Sequence, residues 1–330
     1  MFKPRTALAL ITSTLLLLCV SFNAVAQDKK KLTFYYIDNG NTDPTYAFWP
    51  VVYKGIADAT ALLAPLGVEV IHQVSMDNLN IQTDLLRKAI ATNPDGLVTT
   101  MTDPEALAPI LQPLVDRGVP IMAANAEDPS PQDERFPCKV FYGSDTGKTG
   151  TDLANAVIKQ IRETGADAPK VVLFLNHFPK RNLWEKLFRN FGEVLSREYG
   201  TKTETLATSG MATIKSYLAK HPEVDVVCGQ GLFIHYVSFI LPIWHKQAGR
   251  DVYLASVDVM PDIVQDIKDG KVVAASDEEQ YLQGFLPLMD LYLYAAKSKI
   301  HPLNTVFTGP IIWDKSNVDS IAEEINTGYR

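Results

Sequence analysis

Asp43-Pro44-Thr45-Tyr46-Ala47-Phe48-Trp49-Pro50 lies between an apolar run, Leu32-Thr33-Phe34-Tyr35-Tyr36-Ile37, and a stretch carrying Val52, Ile56, Ala59 and Leu63 on a single helical stripe. The run reads as a buried strand and the stripe as an amphipathic helix. Pro50 fits the first turn of that helix, where a missing N–H costs nothing. Tyr46, Phe48 and Trp49 are expected on the turn between the two elements. In an open parallel sheet such a turn opens onto the ligand crevice beyond the carboxyl ends of the strands. Phe48 and Trp49 are then either the mouth of a binding site or core residues at the start of a helix.

The chain outward from this stretch keeps the same alternation. Val68–Ile71, Gly96–Thr100, Val119–Ala123 and Lys139–Tyr142 read as strands, with helices around Ile81–Ala89 and Leu107–Leu114 between them. A second series follows. Its strands are Lys170–Leu175, Thr203–Thr208, Val224–Cys228, Val252–Asp258 and Lys271–Ser276. Its helices include Thr149–Ile161, Trp184–Leu195, Met211–Lys220, Phe233–Gln247, Asp262–Gly270 and Tyr281–Ala296. Thr308–Trp313 precedes a closing helix over 318–325. Strict alternation is the pattern of βαβ units and parallel sheets, and two series of similar length imply two similar α/β lobes. Gly147-Lys148-Thr149 sits between a strand and a helix, but a phosphate-binding loop needs a glycine where Tyr142 stands.

The first residues carry an address. Lys3 and Arg5 precede an apolar run over Ala7–Val20, and Ala24-Val25-Ala26 closes it, the layout of a secretory signal peptide cleaved after Ala26. The run is too short to span a bilayer comfortably. Cys19 follows Leu18 rather than a small residue, which argues against a lipid anchor. The net charge of −7 becomes more negative once residues 1–26 leave, and no dense basic patch remains for nucleic acid or an anionic membrane. Cys138 and Cys228 are expected as buried free thiols, packing as small hydrophobes. The six histidines are scattered without ligand spacing, so no metal site and no cofactor is expected. No Gly-x-Ser-x-Gly elbow supports a secreted hydrolase, and no catalytic residue is assigned.

Several stretches together resemble the type 1 periplasmic sugar-binding proteins, the ribose and galactose group, across essentially the whole chain after residue 26. They are Phe48-Trp49 before Lys54-Gly55, Asn93-Pro94-Asp95-Gly96-Leu97, Gly118-Val119-Pro120-Ile121 and Gly143-Ser144-Asp145. Further along they are His221-Pro222-Glu223-Val224-Asp225, Ser256-Val257-Asp258, Ile267-Lys268-Asp269-Gly270-Lys271 and Glu278-Glu279-Gln280. The resemblance implies two doubly wound parallel-sheet lobes joined by a three-crossing hinge. The crossings fall near Ser144, Glu278 and Thr308. That assigns 32–144 plus 279–307 to the first lobe and 145–278 plus 308–330 to the second, so the helix over 281–296 returns to the first.

The resemblance also implies a ligand set. Its paired aromatics fall on Phe48 and Trp49, and the carboxylate and arginine after the fourth strand become Asn125 and Ala126. The arginine entering a second-lobe helix falls at Asn182, and a strand-end aromatic at Met211. An asparagine becomes Gln230, the acid is kept as Asp258, and the hinge glutamine becomes Glu278. Loss of two arginines beside two acids favours a neutral or cationic ligand. Asp43, Tyr46 and Asp103 are weaker candidates. The implied function is a monomeric periplasmic solute-binding protein, not an enzyme, that delivers a sugar or polyol to an ABC permease. The alternative is a sensor that presents its closed state to a membrane histidine kinase.

Overall fold

Strand and helix alternate from Leu32 onward in the computed structural model, which describes residues 31–42, 47–131, 133–177, 182–208, 210–249, 251–299 and 301–330. The side chains of residues 182, 183, 247 and 248 lie outside that description, as do the expected signal peptide, Asp43 and Tyr46. The first series comprises β1 (Leu32–Asp38), α1 (Phe48–Leu63), β2 (Val68–Val74), α2 (Leu79–Ala91), β3 (Gly96–Thr99), α3 (Pro104–Asp116), β4 (Ile121–Ala124) and β5 (Phe141–Ser144). The second comprises α4 (Thr146–Thr164), β6 (Val171–Asn176), α5 (Asn182–Tyr199), β7 (Lys202–Ala207), α6 (Met211–Lys220), β8 (Val224–Gln230), α7 (Gly231–Ala248), β9 (Tyr253–Val257), α8 (Pro261–Lys268) and β10 (Ala274–Asp277). The last elements are α9 (Gln280–Lys297), β11 (Thr305–Gly309) and β12 (Ile311–Asp314).

The strands form two six-stranded sheets, β11-β5-β4-β3-β1-β2 and β12-β10-β9-β8-β6-β7. Both follow the doubly wound order in which the chain reverses direction beside its first strand, opening a crevice at the carboxyl ends. Every pairing is parallel except β10 with β12. Strands covered on both faces read as continuous apolar runs, which is why Val171–Asn176 is buried throughout. In the first sheet α1 and α9 cover one face, and α2 and α3 the other. In the second, α4 and α5 face α6, α7 and α8 across the sheet.

The return of α9 to the first sheet has a local cause. A Cβ at Gly55 would come within 2.2 Å of Tyr281 O, and one at Gly284 within 2.1 Å of Val52 O. Facing glycines therefore let the backbones of α1 and α9 touch, and α9 presents Gln283, Pro287, Leu288 and Leu291 to the buried side.

Several sequence expectations are corrected. Phe48 and Trp49 belong to the first turn of α1, not to a preceding turn. Thr308–Trp313 is not one strand: β11 pairs with β5 of the first sheet, and β12, after Pro310, pairs with β10 of the second. Proline has no N–H to keep a ladder going, so the break falls there. The closing helix is two short 3-10 turns, Val318–Ile321 and Glu324–Asn326. Helix α4 starts at Thr146, because Asp145 caps it by accepting from Lys148 N at 3.1 Å. Cys138 and Cys228 are both free, but only Cys228 is buried.

Candidate functional site

The row of carboxyl ends in the second sheet is set by register. Gln230 lies opposite Val257, and Val257 lies opposite Ser276. One step beyond Val257, Asp258 emerges beside Asp277, with Glu278 next along the chain and Gln230 at the neighbouring strand end. Gln230 Nε2 donates to Asp258 Oδ2 at 3.4 Å, while Gln230 Oε1 is buried with no partner. Asp258 has a left-handed backbone with φ of 73°, which an aspartate tolerates better than most residues.

The three acids differ in compensation. Asp277 is fully engaged: it accepts from Trp313 Nε1 at 3.0 Å, Glu279 N at 2.9 Å and Arg330 Nη1 at 2.6 Å. Glu278 is only 6 % exposed, and no basic group among the described residues pairs with it or with Asp258. Burial raises both carboxyls well above the ordinary range. Asp258 repels Glu278 and raises it further, while the Gln283 amide lowers it; Asp277 adds to the rise at Asp258, and the Gln230 amide opposes it.

The first-lobe rim is built differently. Asp38, ending β1, is fully buried, accepts from Gly40 N at 2.7 Å and meets His72 Nε2 at 2.7 Å. Tyr53 stands over the same carboxylate, which together with burial holds its hydroxyl protonated. Trp49 stacks on Tyr53 with ring centres 6.1 Å apart, and Phe48 meets Trp49 edge-on at 5.2 Å. Asn125, one residue past β4 with φ of 62°, donates to Gln283 Oε1 at 3.2 Å. Gln283 Nε2 in turn donates to Glu278 O at 3.0 Å and Thr308 Oγ1 at 3.3 Å, and Thr308 Oγ1 donates to Glu278 O at 2.6 Å.

A crevice brings the two rims together. Ala47 and Phe48 line it on one side; Gln230, Gly231, Leu232, Asp258, Val259 and Met260 line it on the other. Phe48 therefore faces Asp258, whereas Trp49 packs sideways on Tyr53 and is not part of that lining. Asn125 and Glu278 meet through Gln283. Met211 begins α6 and packs on the core of its own lobe, away from the crevice lining. Asn182 begins α5, and its side chain lies outside the described residues. Asp103 caps α3 by accepting from Ala106 N at 3.1 Å.

Sequence reasoning missed Gln283 and gave Thr308 only as a hinge crossing, not as a polar partner of Glu278. The signal was available for Gln283, an amide on the buried stripe of an otherwise apolar helix. It also passed over His177, just past β6, which is wedged between the rings of Trp184 and Phe233. Burial lowers its pKa to about 4, so it stays neutral. Among the described residues no three His, Cys, Asp or Glu side chains converge as a metal site, and no helix is long and apolar enough to cross a membrane.

Comparison with known proteins agrees with this architecture. The sequence is 25 % identical over 295 residues to the xylose/arabinose-binding protein XylF of Sulfolobus acidocaldarius, covering 86 % of this chain and 71 % of that protein. The fold matches a carbohydrate transporter protein from Acidothermus cellulolyticus, solved with myo-inositol, at a TM-score of 0.75 and 23 % identity over 91 % of this chain and 99 % of that one. It matches an ABC transporter solute-binding protein from Burkholderia graminis, solved with D-arabinose, at 0.73 and 16 % identity over 89 % and 99 %. The profile of the periplasmic binding protein domain covers residues 41–299, both sheets' strands from β2 to β10 among them. With two doubly wound lobes and a crevice at their facing strand ends, the chain belongs to the periplasmic binding protein family.

Proposed function

We propose that this protein is an exported solute-binding protein that takes a sugar or polyol between its lobes and delivers it to an ABC permease. The observation that carries the reading is the crevice itself, lined by Phe48 on one side and by Gln230 and Asp258 on the other, with Gln230 Oε1 buried without a partner. Aromatic faces pack on the C–H faces of sugars, and a few well-placed polar groups fix hydroxyls. The carbohydrates named for the relatives and fold neighbours, a pentose and a cyclitol among them, support the same class. The protein acts as a monomer without chemistry of its own, and the signal peptide leaves after Ala26.

Ligand contacts available only when the lobes meet would favour a hinge-closed state for the permease to recognise. The chain passes between the sheets after Ser144, after Asp277 and after Gly309, which supports a three-crossing hinge. On this reading the first lobe holds 32–144 plus 279–307 and the second 145–278 plus 308–330, and the pairing of β11 with β5 through Gly309 favours carrying the first lobe two residues further. A thermal-shift screen over pentoses, hexoses and inositols tests the function. A ligand at 100 times its dissociation constant stabilises by about 2.7 kcal/mol. One carbohydrate class should raise the melting temperature; a uniformly flat screen, with amino acids and peptides shifting it instead, would overturn the reading.

A further inference from the structure

We infer that Asp258 and Glu278 hold one proton between them near neutral pH, so that the site offers one donor and one acceptor to the adjacent hydroxyls of an uncharged polyol. The inference deepens the function proposed above and rests on it for the ligand, but not for the proton. Its first basis is register. β9 and β10 run parallel with Val257 opposite Ser276, so Asp258 comes beside Asp277 and Glu278 follows one residue further along the same edge of the sheet.

The second basis is the fate of the positive charge nearby. Arg330 is spent on Asp277 at 2.6 Å, on Glu279, and on Glu324 at 2.9 Å. The other groups facing the pair are neutral. Gln230 comes from the end of β8 and Gln283 from α9. Thr308 from β11 gives its hydroxyl to the backbone of Glu278. Phe48 comes from the first lobe, and the Tyr36 hydroxyl is committed to Gln283 O at 2.9 Å. Among the described residues, the charged groups next to the pair are Asp277, Glu279 and Arg330.

Two carboxyls removed from water without a counter-cation do not both ionise; one keeps its proton. Burial comes first among the causes that raise each, and mutual repulsion adds to it for Glu278. The result is chemically asymmetric. A protonated carboxyl donates a hydrogen bond as a glutamine amide does, and its ionised neighbour accepts a strong one. A vicinal diol satisfies both at once, one hydroxyl donating to the carboxylate and the other accepting from the carboxyl, and the accepting hydroxyl keeps its own O–H to donate to the orphaned Gln230 Oε1. A carboxylate or phosphate on the ligand would bring a further negative charge to an edge that already holds several.

The test needs no ligand. Carboxyl carbons of the ligand-free protein, labelled with 13C at Asp and Glu, are followed by NMR across pH in wild type, Asp258→Asn and Glu278→Gln. Wild type should show a carboxyl that stays protonated at neutral pH. Each substitution should lower the remaining partner's ionisation by roughly one pH unit or more, the mark of a coupled pair. Both carboxyls ionised at neutral pH, or a partner unmoved by either substitution, would overturn the inference and turn the site toward an amine-bearing ligand. A flat carbohydrate screen leaves this titration intact, so the two failures are distinguishable.

Discussion

Asn125 and Asp258 occupy the same place in two copies of one topology. Each follows the third strand from the far edge of its sheet, β4 in one lobe and β9 in the other, and each has a left-handed backbone. Their surroundings differ. Asn125 is tied by Gln283 into a network that its own lobe and the hinge complete. Asp258 has one long hydrogen bond from Gln230 and otherwise repulsion from its neighbours. The same holds along the rims: Asp38 is buried but satisfied by Gly40, His72 and Tyr53. A rim that completes itself positions and stabilises, whereas one left with unmet polar capacity is where a ligand's hydroxyls are worth most.

The hardest blow to this comparison is aimed at Asp38. Asp38→Ala leaves a partly buried histidine, a tyrosine hydroxyl and a backbone N–H short of their partner, and each donor left unsatisfied away from water costs about 1–3 kcal/mol. Thermal melting of the ligand-free protein should fall sharply. Asp258→Asn should do the reverse for the empty protein and cost affinity instead, by about 2–5 kcal/mol, or roughly 30- to 5,000-fold. Calorimetry against whichever carbohydrate the screen selects reads the second; an Asp38→Ala protein that melts like wild type would erase the distinction between the rims.

The sign of the pH dependence sharpens it further. Asp258 and Glu278 carry raised carboxyls in the folded protein, so the folded state binds more protons than the unfolded chain. The stabilisation is full below the ordinary carboxylate range and is lost as pH rises through the folded values. Melting temperature measured from acid to mildly alkaline pH should therefore decline in wild type and decline less in Asp258→Asn or Glu278→Gln. Equal slopes in all three would place the loss elsewhere.

Moving the acid to the other lobe is a smaller perturbation. Asn125→Asp keeps the backbone conformation but sets a carboxylate against Gln283 Oε1. Gln283 must then turn its amide and give up its bonds to Glu278 O and Thr308, at a cost of about 1–3 kcal/mol. A reduced melting temperature, restored in part by Gln283→Glu only at acid pH, is the expected reading.

How far the sequence carries depends on whether a feature is periodic. The apolar runs and stripes that make strands and helices recur at fixed spacing, so the alternation, both lobes and the strand ends bearing Gln230 and Asp258 are legible. Which lobe receives α9 is not periodic. It turns on Gly55 meeting Gly284 across more than 200 residues, and only the resemblance to sugar-binding proteins pointed to it. The division of 308–313 between two sheets is hidden for a similar reason, since both halves are short and apolar and only their partners differ. Pairwise polar contacts such as Asn125 with Gln283 leave no spacing at all. The exchange of roles between adjacent aromatics is set by rotation about a helix that the sequence does place, but whose starting residue it does not fix.

That exchange gives the finest test. Phe48 and Trp49 are successive residues in the first turn of α1, so their side chains leave the axis about 100° apart, from 3.6 residues per turn. Both pack on the edge of the first lobe's core, but Phe48 also lines the crevice that Asp258 lines, whereas Trp49 lies over Tyr53. Phe48→Ala should weaken carbohydrate binding most, with some loss in the empty protein's melting temperature because the ring also packs on the core. Trp49→Ala should lower that melting temperature by removing the stacked ring, with a smaller effect on affinity. Aromatic pairs of this geometry contribute about 0.5–1.5 kcal/mol beyond the area they bury, so both shifts are modest and need paired measurement. Because the two rings also touch at 5.2 Å, the double variant should lose somewhat less than the sum of the singles. If Trp49→Ala costs the affinity and Phe48→Ala the stability, the first helix is rotated relative to the crevice when ligand binds, and the aromatic wall belongs to Trp49 instead.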